Sequence, residues 1–160
     1  MKVAIFFGSK SDTNTMKKAA DILKEFGVEY KAFIISAHRA GALLKETVEQ
    51  VEKDGFEVII AGAGLAAALP GVIAGETTLP VIGVPLECIS EKSNGLGGMD
   101  SLLSIVQMPA GIPVSTTAIN GAKNAALIAA SIFALTDKDI DARLQAYRKN
   151  QTDVVLATEL

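Results

Sequence analysis

One histidine occurs among the 160 residues, His38, and it stands within Ser36-Ala37-His38-Arg39. An imidazole with an unperturbed pKa of about 6.5 can both deliver and accept a proton near neutral pH. The adjacent Arg39 can fork onto a phosphate or carboxylate. A solitary histidine is often a packed or surface bystander, but this one directly follows an apolar run, where open parallel sheets bind ligands. A second polar cluster, Gly8-Ser9-Lys10-Ser11-Asp12, follows the apolar run Val3 to Phe7. Gly8 permits a tight turn, and the free amides and positive end of a following helix attract an anion, with the Ser9 and Ser11 hydroxyls as further donors. Asp12 repels anions but can accept hydrogen bonds from sugar hydroxyls. Phosphate plus ribose is the natural composite. The competing reading is structural: Ser11 or Asp12 caps the next helix, and Lys10 is solvated.

A third stretch, Gly62-Ala63-Gly64-Leu65-Ala66-Ala67, formally matches the dinucleotide fingerprint G-x-G-x-x-(G/A). That motif belongs after the first strand, with an acidic residue about 20 positions on. Here it is third in order, with Glu76 and Glu87 the nearest downstream candidates. The better reading is a backbone wall that approaches a small planar ligand closely. Cys88 has no histidine near it in sequence and falls at the start of a polar, Gly-rich loop, so it is expected to be incidental. No G-x-S-x-G motif and no metal-ligand spacing of Cys, His or carboxylates occurs.

Alternating β-branched runs and helical periodicity position these clusters. Strands are expected at 2–7, 29–35, 57–62 and 80–84, with a weaker one near 112–117. They read as parallel strands buried on both faces. Helices are expected from Asp12 to Phe26, closed by Gly27, and from Leu43 to Lys53, closed by Gly55. A short one should span Ala66 to Ala74, with Pro70 marking an irregularity or a late start. A long Ala-rich helix runs from Asn120, a plausible N-cap, to Leu135, and a final amphipathic helix from Asp137 to about Val155 carries Ile140, Leu144, Tyr147, Val154 and Val155. The sequence predicts one domain over 1–160. Its C-terminal segment, 137–158, is expected to reach a neighbouring subunit rather than fold back on its own sheet. Cys88 to Gly98 is expected to be a mobile surface loop.

Composition narrows the partners. Fifteen Lys and Arg against eighteen Asp and Glu give a net charge of −3, which argues against nucleic acid and anionic membrane surfaces. Glycine and proline interrupt the most apolar stretch before it reaches the roughly 18 residues of a membrane helix, and Val3–Phe7 is too short for a secretory h-region. A soluble protein of a reducing, cytoplasmic setting is expected from these features and the single cysteine.

Taken together, Gly8-Ser9-Lys10-Ser11-Asp12, Ser36-Ala37-His38-Arg39, the Ala61–Gly71 segment AGAGLAAALPG, the Asp100–Pro109 segment DSLLSIVQMP, Gly111–Val114 (GIPV) and Asn124-Ala125-Ala126 resemble the PurE family of purine biosynthesis over nearly the whole chain. The resemblance implies a flavodoxin-like α/β three-layer αβα sandwich, with a projecting C-terminal helix, assembled as a homo-octamer. The SAHR form is similar to that of the mutase branch, whereas the carboxylase branch typically carries SAHK. Mutase chemistry would isomerise N5-carboxyaminoimidazole ribonucleotide to the product carboxylated on ring carbon four. No metal or other cofactor is implied. By the same resemblance His38 is the general acid and base. Ser9, Ser11, Asp12, Ser36, Ala37, Arg39, Gly64, Leu65 and Ala66 are the substrate-binding residues, with Arg39 and the Ser11 region suited to phosphate and Asp12 to the ribose. The chain departs from the usual mutase pattern at Leu65, where a Gly is usual, at Ala68, where a His is usual, and at Ala40-Gly41, where Thr-Pro is usual; its 88–98 loop is also longer. The carboxylase branch, using free carbon dioxide, also lacks a His at the Ala68 position and is the alternative activity. Dinucleotide binding and a non-catalytic assembly protein are the more distant ones.

Overall fold

The computed structural model describes residues 1–88 and 95–158. Five strands, β1 (Lys2–Phe7), β2 (Glu29–Ile34), β3 (Val58–Gly64), β4 (Val81–Leu86) and β5 (Ser115–Thr116), form one sheet in the order β2-β1-β3-β4-β5, with every pair parallel. Parallel neighbours need crossover connections, and the intervening segments supply helices: α1 (Thr13–Glu25), α2 (Gly41–Lys53), α3 (Leu69–Glu76), α4 (Met99–Val106), α5 (Ala122–Ala134) and α6 (Lys138–Leu156).

Alternation along each central strand divides the core into two layers, because successive side chains point to opposite faces. Val3, Ile5 and Phe7 of β1, Val58 and Ile60 of β3, and Ile82, Val84 and Leu86 of β4 pack under α1, α5 and the start of α6. Ala4, Phe6, Ile59, Ala61 and Val81 pack on the opposite face under α2, α3 and Ile105 of α4. Burying both faces explains why β1, β3 and β4 read as continuous apolar runs. The expectation of two-sided burial fails for β2. It lies at the sheet edge and is exposed along most of its length, tied inward mainly by Phe33, whose ring stacks on Phe6 at 4.8 Å.

Helix limits follow local chemistry. Gly27, at φ +69°, accepts the left-handed turn that ends α1 and lets Val28 turn back into β2. Ala125, Ala126, Ala129 and Ala130 make one face of α5 thin and fully buried, so α1 packs closely against it. Asp137 caps α6 by accepting from the amides of Asp139 (2.9 Å) and Ile140 (3.0 Å), a contact worth about 1 kcal/mol.

Several expectations are corrected here. Asn120 does not cap α5: Gly121 occupies that position, and Asn120, at φ +58°, accepts from the Glu87 amide (3.1 Å), linking the β4 end to the entry of α5. The third helix takes the late start, at Leu69 beside Pro70. Met99–Val106 is a helix that the strand-and-helix reading left unassigned. Six residues of the predicted mobile loop, 89–94, lie outside the described residues. The last helix divides between the two docking possibilities. Ile140 and Leu144 are buried in the domain's own core and Tyr147 packs on Phe26 (ring centroids 5.7 Å apart), whereas Val154, Val155 and Leu156 stand 59%, 72% and 79% exposed. Among the described residues no helix is long and apolar enough to cross a membrane.

Candidate active site

The sheet order places β1 between β2 and β3, so the crossovers leaving β1 and β3 depart to opposite faces and a crevice opens at their carboxyl ends. A cleft of about 300 Å³ occupies this position. Its wall is assembled from four strand ends: Gly8 and Asp12 after β1, Ser36 to Arg39 after β2, Ala63 to Leu69 at and after β3, and Cys88 after β4. Of the residues singled out in the sequence, Asp12, Ser36, Ala37, His38, Arg39, Gly64, Leu65 and Ala66 meet here. His38 and Arg39 are exposed to the open side.

Ser9 and Ser11 do not line this cleft. Beyond Gly8 the chain tightens into a 3-10 turn over Lys10–Asp12, and Ser9 becomes its N-cap, accepting from the Ser11 amide at 3.3 Å. The Ser11 hydroxyl lies 2.9 Å from Ser9 Oγ and 3.2 Å from Asp12 Oδ1. The two hydroxyls therefore engage each other and the carboxylate. The capping role expected of Ser11 or Asp12 falls to Ser9, and Asp12 makes no side-chain cap bond to α1. Partial burial pushes the Asp12 carboxyl above its ordinary value; hydrogen bonds from the Ser11 hydroxyl and the Ser9 backbone oppose this more weakly.

The turn after β2 is held by its own backbone. The Arg39 and Ala40 amides donate to the Ser36 carbonyl at 3.2 and 2.9 Å, and Arg39 Nε donates to Ser36 Oγ at 3.2 Å. Ile35 extends the pairing to β1 through the Phe7 carbonyl (3.0 Å). Register thus sets His38 and Arg39 beside the Gly8 turn, although 30 residues of chain separate His38 from Gly8.

The wall after β3 is built mainly from Gly and Ala, with Leu65 and Leu69 among them. Ala67 closes a turn onto the Gly64 carbonyl at 3.0 Å, and Leu65 and Ala67 have left-handed backbones, at φ +55° and +34°. This geometry replaces the helix start that a dinucleotide fingerprint requires: α3 begins only at Leu69.

Cys88 is a correction to the sequence reading. It is not a bystander in a loop but part of the cleft, packed against Gly64 and receiving a backbone hydrogen bond from Leu65. Burial first, then the charges of Asp12 and Asp100, push its thiol up from the ordinary value, so it is protonated at neutral pH. Its position follows from the β3–β4 register, which pairs Gly64 with Leu86, two residues before Cys88. Gly8, Ala63, Ala67, Ala68 and Leu69 are further lining residues not singled out individually as contacts. Among the described residues no group of three or more His, Cys, Asp or Glu side chains is gathered as a metal site would require.

A parallel sheet of this order, with a histidine, an arginine and an aspartate converging on its switch-point crevice, defines a flavodoxin-like α/β protein. The chain belongs to the AIR carboxylase family, which it matches over residues 2–154. It is 49% identical over 159 residues to the N5-carboxyaminoimidazole ribonucleotide mutase of Saccharolobus solfataricus, covering 99% of this chain and 98% of that protein. It is 53% identical to the mutase of the same name from Vibrio parahaemolyticus, covering 98% and 96%. The crystal structure of Treponema denticola PurE superposes with a TM-score of 0.84 at 32% identity, covering 97% of this chain and 94% of that one.

Proposed function

We propose that this protein is a mutase that converts N5-carboxyaminoimidazole ribonucleotide to 4-carboxy-5-aminoimidazole ribonucleotide. The observation that carries the reading is the convergence of His38, Arg39 and Asp12 from adjacent strand ends on one cleft, in a chain half identical over nearly its full length to proteins of that name.

The carbamate N–C bond of the substrate breaks, carbon dioxide is released within the cleft, and the exocyclic nitrogen takes a proton from His38. Carbon dioxide then bonds to ring carbon four, and His38 removes the proton that this carbon loses. One imidazole serves both steps because each leaves it ready for the other. Arg39, already oriented by Ser36, binds the phosphate, and Asp12 accepts from ribose hydroxyls. Ser9 and Ser11 hold Asp12 in place. The wall from Gly64 to Ala66, with Ser36 and Ala37 opposite, admits the ring closely and keeps water away from the released carbon dioxide. The enzyme works in the cytoplasm as a homo-oligomer, an octamer by family resemblance, with the exposed end of α6 packed on a neighbour. The chain forms one domain.

The test follows carbon-four product by ultraviolet absorbance, comparing the carbamate substrate with aminoimidazole ribonucleotide plus bicarbonate over a bicarbonate series. Turnover of the carbamate, insensitive to bicarbonate, is expected. Turnover only of the unsubstituted ribonucleotide, rising with carbon dioxide supply, would make the protein a carboxylase.

A further inference from the structure

Leu65 stands at φ +55° on the cleft wall. A side chain at positive φ costs energy that glycine does not incur, and bulky residues are uncommon there. The loop is nonetheless pinned in this form: β3 delivers Gly64, Ala67 closes its turn onto the Gly64 carbonyl, the Leu65 amide donates to Cys88, and buried Leu69 anchors the start of α3. Held this way, Leu65 remains 43% exposed while Ala63, Ala67 and Leu69 around it are buried. The fold therefore tolerates backbone strain to keep a large apolar side chain partly in water, inside a cleft. Strain preserved at a ligand site points to a role in the liganded state.

We infer that Leu65 covers the imidazole end of the bound ribonucleotide and retains the carbon dioxide between its release and its recapture; this rests on the mutase reading above. Between those two bond changes nothing covalent holds the carbon dioxide, a small neutral molecule that water would hydrate. A leucine side chain laid over the ring excludes that water and buries its own remaining apolar surface on closure. In this chain the neighbouring wall residues, Gly64 and Ala66, are too small to supply such a cover, so it falls to the Leu65 side chain.

The experiment supplies the carbamate substrate to wild type and to Leu65→Ala, Leu65→Gly and Leu65→Met. It measures both the carbon-four product and the aminoimidazole ribonucleotide released with loss of carbon dioxide, after subtraction of the spontaneous reaction. The Ala and Gly variants are expected to lose at least ten times the wild-type share as aminoimidazole ribonucleotide, with Met close to wild type. All three should unfold cooperatively, within about 3 °C of wild type for Gly, since relief of strain offsets the freer unfolded chain. Wild-type partitioning in Ala and Gly would overturn the inference. So would a leak confined to Gly, which would assign the effect to the backbone instead of the side chain. A wild-type protein that forms no carbon-four product from the carbamate would remove the mutase reading itself, and this inference with it.

Discussion

Gly64 and Cys88, 24 residues apart, meet so closely at the cleft floor that a β-carbon on Gly64 would overlap the Cys88 sulfur and stand 3.1 Å from the Leu86 carbonyl oxygen. The contact joins the ends of β3 and β4 and sets the loop that carries Leu65. It also explains why the wall of the site requires glycine here for space, since Gly64 is not among the residues with positive φ.

Gly64→Ala is accordingly expected to destabilise the protein by about 1–3 kcal/mol through overpacking, and to reduce turnover by displacing the loop. Adding Cys88→Ala should restore part of the loss, giving a non-additive pair in urea unfolding. Strict additivity would show that the sulfur is not the obstacle.

His38→Asn should lower turnover by a factor of roughly 10² to 10⁴, the usual contribution of a positioned general acid or base. The imidazole is exposed, so its removal opens no core. The melting temperature and the affinity for the carbon-four product should stay near wild type. An active, well-folded Asn variant would remove His38 from the mechanism.

Asp12 links the site to pH. Its folded pKa is raised above 3.8, with burial the main cause, so between 3.8 and the raised value the folded state binds more protons than the unfolded chain. This contribution to stability is fully present below 3.8 and is lost as pH rises through the folded value. Asp12→Asn should therefore melt slightly higher than wild type at pH 7, by roughly 1–2 °C, with the difference shrinking toward pH 4, while affinity for the ribonucleotide falls. A constant difference across this range would show that the carboxylate's ionisation is not the cause.

The end of α6 should separate assembly from folding. Val154→Glu with Val155→Glu places charge on residues that are largely exposed in the single chain, and is expected to lower the mass seen by light scattering while leaving the helical content intact. Removing everything after Thr136 is a poorer test, because Ile140 and Leu144 belong to the domain's own core. An unchanged mass for the double Glu variant would exclude this end of α6 from the subunit contact.

Local pattern reveals much of this molecule. The apolar runs of β1, β3 and β4 and the helical spacing of α1 and α2 are visible because each element records its own burial in its own period. Gly27 and Gly55 mark ends for the same local reason, as the residues that accept φ of +69° and +76°. The 8-residue α4 escaped because it is short and follows a Gly-rich stretch, leaving too few turns to establish a period. His38, Arg39 and Asp12 are legible as chemistry through residue type and their place after strands, and the family resemblance adds the reaction proposed for them.

Other features depend on distances that no local pattern contains. Ser9 and Ser11 look like ligand donors in the sequence, but the 3-10 turn directs their hydroxyls to each other and to Asp12. Cys88 looks incidental until the β3–β4 register brings it against Gly64. Leu65 is singled out in the sequence only through the family resemblance, and no local pattern shows that the turn closed by Ala67 holds it at positive φ on the cleft wall.

The amino-acid sequence by itself thus determined the alternating parallel architecture and supplied a histidine, an arginine and an aspartate with the chemistry for proton transfer and ligand binding, because burial period and side-chain chemistry are properties of short segments. Tertiary structure alone decided which of those groups share a cleft and what lines it, because strand order and register bring together residues separated by tens of positions, and the contacts they make there outweigh the local preferences of each.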